Sequence, residues 1–85
     1  METFVYEPQG VCAKRYTITV DNDNDTIRNI EIAGGCPGNL LGITHLLKGM
    51  KVDEVIERFD GVPCGLKTTS CPDQIAQALK QYKNA

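Results

Sequence analysis

Lys14–Leu40 reads KRYTITVDNDNDTIRNIEIAGGCPGNL, and its apolar spacing changes character along its length. Over Lys14–Asp21 the pattern alternates. Tyr16, Ile18 and Val20 fall on one face, Arg15, Thr17 and Thr19 on the other, which predicts a half-buried strand. Asn22-Asp23-Asn24-Asp25 is a polar turn, and Thr26–Gly34 resumes as a strand with Ile30 and Ile32 on one face. The glycines of Gly34-Gly35-Cys36-Pro37-Gly38-Asn39 then break the sheet. Beyond them Leu40, Ile43, Leu47 and Met50 recur at helical spacing, with Gly49 as the expected stop.

Outward from this stretch, Thr3–Glu7 is a short strand closed by Pro8 and Gly10. Asp53 and Glu54 open a second helix whose apolar positions are Val55, Ile56 and Phe59. A third helix runs from near Pro72 to about Tyr82, with Ile75, Leu79 and Tyr82 inward. Strands come first and helices after. The expected fold is therefore α+β: an antiparallel three-stranded sheet followed by about three helices packed on one face. At 85 residues the chain is expected to be one domain, residues 1–85. Such a domain buries only roughly 60–65% of its unfolded surface, so a metal, disulfide or partner would strengthen it.

Composition excludes several function classes. A net charge of −2 gives no electrostatic reason to expect a nucleic acid or an anionic membrane. No apolar run approaches a membrane span, and Met1–Tyr6 has no signal-peptide pattern, so a cytoplasmic location is expected. Structural disulfides are rare there, and four cysteines in a small domain point first to metal or redox chemistry. The plain alternative is four inert cysteines packed as small hydrophobes.

Cys36-Pro37 and Cys71-Pro72 each begin a helix, because proline is favoured at the first helical position. Cys36 and Cys71 then stand at or beside an N-cap, where free N–H groups and the helix dipole favour a thiolate. Cys12 precedes the central hairpin and Cys36 leaves its far strand, so both belong at one end of the sheet. Cys64 and Cys71 bracket the polar loop Gly65–Ser70. If that loop packs at the same end, Cys12, Cys36, Cys64 and Cys71 form a metal site, for Zn²⁺ ahead of an iron–sulfur cluster. A narrower reading makes Cys71 a nucleophile and Cys64 its resolving thiol, although no CxxC motif is present.

Other patterns carry less. His45, the only histidine, falls near an edge of its helix stripe and reads as a partly exposed surface residue. Asp21, Asp23 and Asp25 alternate as in a calcium loop, but Thr26 and Ile32 occupy the positions of its glycine and glutamate. The turn is expected to carry exposed carboxylates. Gly35–Asn39 lacks the lysine and glycine spacing of nucleotide loops; with Lys67, Thr68, Thr69 and Ser70 it is at most an anion site.

Thr69-Ser70-Cys71-Pro72-Asp73 resembles the sequence that names the TSCPD domain family, and Gly34–Asn39 and Val62-Pro63-Cys64-Gly65 resemble that family's other marks. The resemblance covers about Gly10 to Tyr82. The family includes small stand-alone bacterial proteins and the C-terminal part of cobalamin-dependent ribonucleotide reductases. It implies a link to deoxyribonucleotide synthesis (DNA biosynthesis), with a ribonucleotide reductase or its reductant as partner. It does not imply catalysis by this chain, since 85 residues cannot hold the reductase's radical-bearing barrel.

The element order is also similar to that of iron–sulfur cluster scaffold proteins, which implies matching cluster ligands at Cys12, Cys36 and Cys71 and, as a second reading, sulfur-transfer or cluster chemistry. Two positions depart from that family. Lys14 replaces its aspartate, and Ser70 its histidine. These departures leave a stable Zn²⁺ site, with Cys64 as fourth ligand, as the reading closer to the residues.

Overall fold

The computed structural model describes residues 1–35 and 37–84, Pro37 by its backbone only. Three strands, β1 (Glu2–Tyr6), β2 (Ala13–Asp21) and β3 (Thr26–Gly34), form an antiparallel sheet in chain order. Three helices follow: α1 (Pro37–Leu47), α2 (Val52–Phe59) and α3 (Cys71–Asn84). This is the α+β arrangement expected from the sequence.

The alternation in β2 does what its pattern requires. Tyr16, Ile18 and Val20 are fully buried, and they meet Leu40, Leu47, Val52, Val55, Ile75 and Leu79 from the helices. The opposite sheet face is open, with Val5 and Arg15 exposed on it. Ile30 is buried as expected and Ile32 is half-buried against the core. Ile27 is buried too, although it lies an odd number of residues from Ile30. The register explains this. Thr19 pairs with Asn29 and Val20 with Ile27, so Arg28 is the extra residue of a β-bulge that turns Ile27 inward. A second shift leaves Lys14 unpaired between Ala13↔Gly34 and Arg15↔Ala33, next to the cysteine end of β2.

Helix directions follow from the contacts. α3 runs alongside β2 in the same sense. Its first residue meets Tyr16, whose hydroxyl donates to the Cys71 carbonyl at 3.0 Å. Near its far end Tyr82 stacks on Phe4 with ring centroids 5.6 Å apart. α2 lies antiparallel to α3, bringing Asp53 near Lys83 and Asp60 near Lys80. After α1, backbone bonds Ile27 N–H to Met50 O (2.9 Å) and Gly49 N–H to Ile27 O (2.7 Å) tie the chain to the start of β3.

One expectation about the hairpin turn is corrected. Asp25 is not an exposed carboxylate. It is partly buried, sits at φ +57°, and accepts hydrogen bonds from the Tyr82 hydroxyl at 3.0 Å and from Lys83. Aspartate is one of the few residues that tolerates this left-handed conformation. The Lys83 ammonium, against the opposing effect of burial and with help from Tyr82, holds the Asp25 carboxyl below the ordinary aspartate range. A carboxyl depressed in the folded state stabilises the fold above its unfolded pKa of about 3.9 and loses that contribution as pH falls through its folded value. Denaturant titrations at pH 6 and pH 3 are therefore expected to show a smaller acid loss of stability in Asp25→Asn than in the wild type. Equal losses would mean the latch is not a pH-dependent contact.

Candidate functional site

The cysteine end of the sheet gathers the loop after β1, the start of β2, the loop between α2 and α3, and the start of α3. Each is held in place by bonds that can be traced to the Thr69–Gln74 stretch. Ser70 is the N-cap of α3. Its hydroxyl accepts from the Asp73 N–H at 3.1 Å and its carbonyl accepts from the Gln74 N–H at 2.8 Å. Cys71 is therefore the first helical residue and Pro72 the second, one step later than the proline rule suggests. The Ser70 hydroxyl also donates to the Val62 carbonyl at 2.7 Å, tying the loop to its own end.

Asp73 is buried. Its carboxylate accepts from the Gly61 N–H at 2.6 Å, from the Thr69 hydroxyl, and from Gln77 at 3.2 Å. Burial pushes the Asp73 pKa up, but these three donors outweigh it and keep the carboxyl below the ordinary aspartate value. Gln74 extends the clamp to the other loop. Its Oε1 accepts from both the Tyr6 hydroxyl and the Gln9 N–H at 3.0 Å, while its Nε2 donates to Thr69 Oγ1 at 2.9 Å. Gly10, at φ +72°, lets that loop pass close to the Thr69 methyl.

The result is a small cavity of about 80 Å³ to which Cys12, Cys64, Lys67, Ser70 and Cys71 contribute. Cys12 Sγ and Cys71 Sγ are 3.8 Å apart. Cys12 and Cys64 are exposed and Cys71 is partly buried; none of the three is in a disulfide. The turn Cys64–Lys67, closed by the Lys67 N–H to Cys64 O bond at 3.0 Å with Gly65 at φ +59°, brings Lys67 back beside Cys64. Lys67 Nζ then reaches the Gly10 carbonyl at 3.5 Å across the cavity. Beneath lies Tyr16, fully buried; burial and the neighbouring Cys71 raise its hydroxyl pKa far above the ordinary value, so it acts as a neutral donor.

Three of the four cysteines singled out by sequence thus border one cavity. Cys36 lies outside the described residues. Its neighbour Gly35 packs on Ala13, the residue after Cys12: a Cβ built on Gly35 would stand 3.4 Å from Ala13 Cα. Among the described residues, no three His, Cys, Asp or Glu side chains already stand in metal-ligating geometry. His45 is exposed on α1. Gln74, Tyr16 and Gly61 were not indicated by the sequence, because their roles depend on loops meeting. The cap at Ser70 was missed as well, since the proline pointed to Cys71; Ser70 followed three residues later by Asp73 is the helix-start signature that could have found it.

No helix of the described residues is long and apolar enough to cross a membrane. No curated protein and no solved structure matches the chain. The family profile described as TSCPD domain matches residues 4–83, nearly the whole chain, and the residues that name the family are those that cap α3 and clamp the cysteine loop. The chain belongs to the TSCPD domain family.

Proposed function

We propose that this chain is a small zinc-binding accessory domain, with Cys12, Cys36, Cys64 and Cys71 as ligands, that works through a protein partner. The observation that carries this reading is the 3.8 Å separation of Cys12 Sγ and Cys71 Sγ. Two thiolates bound to one tetrahedral Zn²⁺ at about 2.3 Å are themselves about 3.8 Å apart. Cys64 borders the same cavity, and Cys36 follows the glycine that packs on Ala13, the residue after Cys12. An all-sulfur donor set suits Zn²⁺ or an iron–sulfur cluster. Zinc is the better fit. The scaffold family's histidine is replaced by Ser70, whose hydroxyl is already engaged as a cap and loop tie. The metal would cross-link the two loops that Asp73 and Gln74 already hold together.

The partner proposed is a ribonucleotide reductase or its reductant, on the strength of the family's occurrence as the C-terminal part of such enzymes. Protein purified without an affinity tag is expected to carry about one Zn per chain by elemental analysis. Cys71→Ser and Cys36→Ser are expected to lose most of it and to unfold at lower temperature. Unchanged metal content in both variants would overturn the assignment. Iron with acid-labile sulfide would replace zinc by the scaffold reading.

A further inference from the structure

The same 3.8 Å contact has a second chemical outcome when no metal lies between the sulfurs. We propose that Cys12 and Cys71 form a reversible disulfide with small-molecule disulfides as oxidant, and that this bond closes the cysteine site to metal. The last clause rests on the zinc reading; the disulfide itself does not.

The geometry selects this pair. A disulfide bond is about 2.05 Å long, so the two sulfurs need to approach by only about 1.8 Å from their present contact. Cys12 is exposed in the loop after β1, two residues before the unpaired Lys14 of the irregular start of β2, so rotation of its side chain meets little packing. Cys71 is fixed by its helix and by the Tyr16 bond to its carbonyl. Cys64 borders the same cavity but makes no sulfur contact of this kind with Cys71. In an unfolded chain the preference would reverse. Cys64 and Cys71 are seven residues apart and Cys12 and Cys71 are 59 apart, so loop closure alone favours the local pair by roughly 20-fold. A Cys12–Cys71 bond is thus a product of the fold.

The exchange balances without any other reactant. The exposed Cys12, as thiolate, attacks one sulfur of a small disulfide RSSR. That S–S bond breaks and RS⁻ leaves, taking up the proton Cys12 gave up. Cys71, as thiolate, then attacks Cys12 Sγ in the mixed disulfide and expels the second RS⁻, which is protonated in turn. The protein loses two electrons and two protons, and RSSR is reduced to two RSH. A dithiol reductant reverses both steps.

The test uses the full chain, reduced and stripped of metal, treated with one equivalent of oxidised glutathione. Peptide mapping without reduction is expected to find Cys12 joined to Cys71 as the main cross-link, in the wild type and in Cys64→Ser. Cys71→Ser is expected to retain glutathione on Cys12, because the resolving thiol is gone. The same reaction in urea is expected to shift the main cross-link to Cys64–Cys71. A main cross-link of Cys64 or Cys36 to Cys71 under native conditions, or mixed disulfides without any internal link, would overturn the proposal. Zinc uptake is then measured on both forms. Uptake by the reduced form alone supports closure. Equal uptake by both refutes closure. Uptake by neither sinks the zinc reading while leaving the disulfide result intact.

Discussion

Asp73→Ala is expected to destabilise the domain by about 3 kcal/mol, more than any other single change to the polar clamp. The carboxylate accepts from Gly61, Thr69 and Gln77, and Asp73 is buried. Truncation removes all three bonds and leaves their donors facing a void. A hydrogen bond to a charged group contributes about 1.5–3 kcal/mol, and these three act together, so the sum is not simply additive. A domain of this size has a total stability of only about 4–13 kcal/mol. At about 4–8 °C per kcal/mol, the unfolding temperature is expected to fall by about 12–24 °C. Asp73→Asn keeps one acceptor and is expected to fall between the two. Freed from Gly61 and Thr69, the loop should also expose Cys71 to faster alkylation in the metal-free protein. An unfolding temperature within a few degrees of the wild type would mean the clamp does not hold the loop.

Gly35→Ala is the second large effect. Gly35 stands at φ +79°, and a Cβ there would run into the Leu40 side chain and meet the Ala13 backbone at 3.4 Å. Leu40 is buried in the core, so it has little room to yield. The left-handed conformation costs a non-glycine residue about 1–2 kcal/mol, and overpacking adds about 1–3 kcal/mol. Together these give a loss of about 2–5 kcal/mol. Gly49→Ala separates the two causes, since Gly49 has φ +86° with nothing within 4 Å of its Cβ position. It should lose only the conformational part. Equal losses for both variants by denaturant titration would show that the contact with Leu40 carries no weight.

What the sequence disclosed follows the physics of each element. The alternation Tyr16, Ile18, Val20 and the stripe Leu40, Leu47 were legible because a half-buried strand and a core-facing helix leave periodic traces. Ile27 was not, because the bulge at Arg28 changes which face a residue occupies without changing the residue types. Hairpin topology made Cys12 and Cys36 legible at one end of the sheet, and the arrival of the α3 start there only as a condition. The sulfur contact itself was not legible. The short gap between Cys64 and Cys71 suggested that pair, whereas the contact is made by Cys12, 59 residues from Cys71. Asp25 escaped because its partners Tyr82 and Lys83 come from the far end of the chain, and a run of polar turn residues does not say which one turns inward.

The distance along the chain between Cys12 and Cys71 also sets when the site can exist during synthesis. The β2–β3 hairpin pairs residues close in sequence and can form as soon as it leaves the ribosome. Tyr16, the cap at Ser70 and the clamp at Asp73 come together only once α3 has been made, because α3 supplies one side of every one of these contacts. A nascent chain that ends before residue 71 carries up to three cysteines, no complete pocket for them, and a sheet face that lacks the cover of Ile75 and Leu79. The pocket is therefore a late product of synthesis, assembled only when α3 arrives to close it.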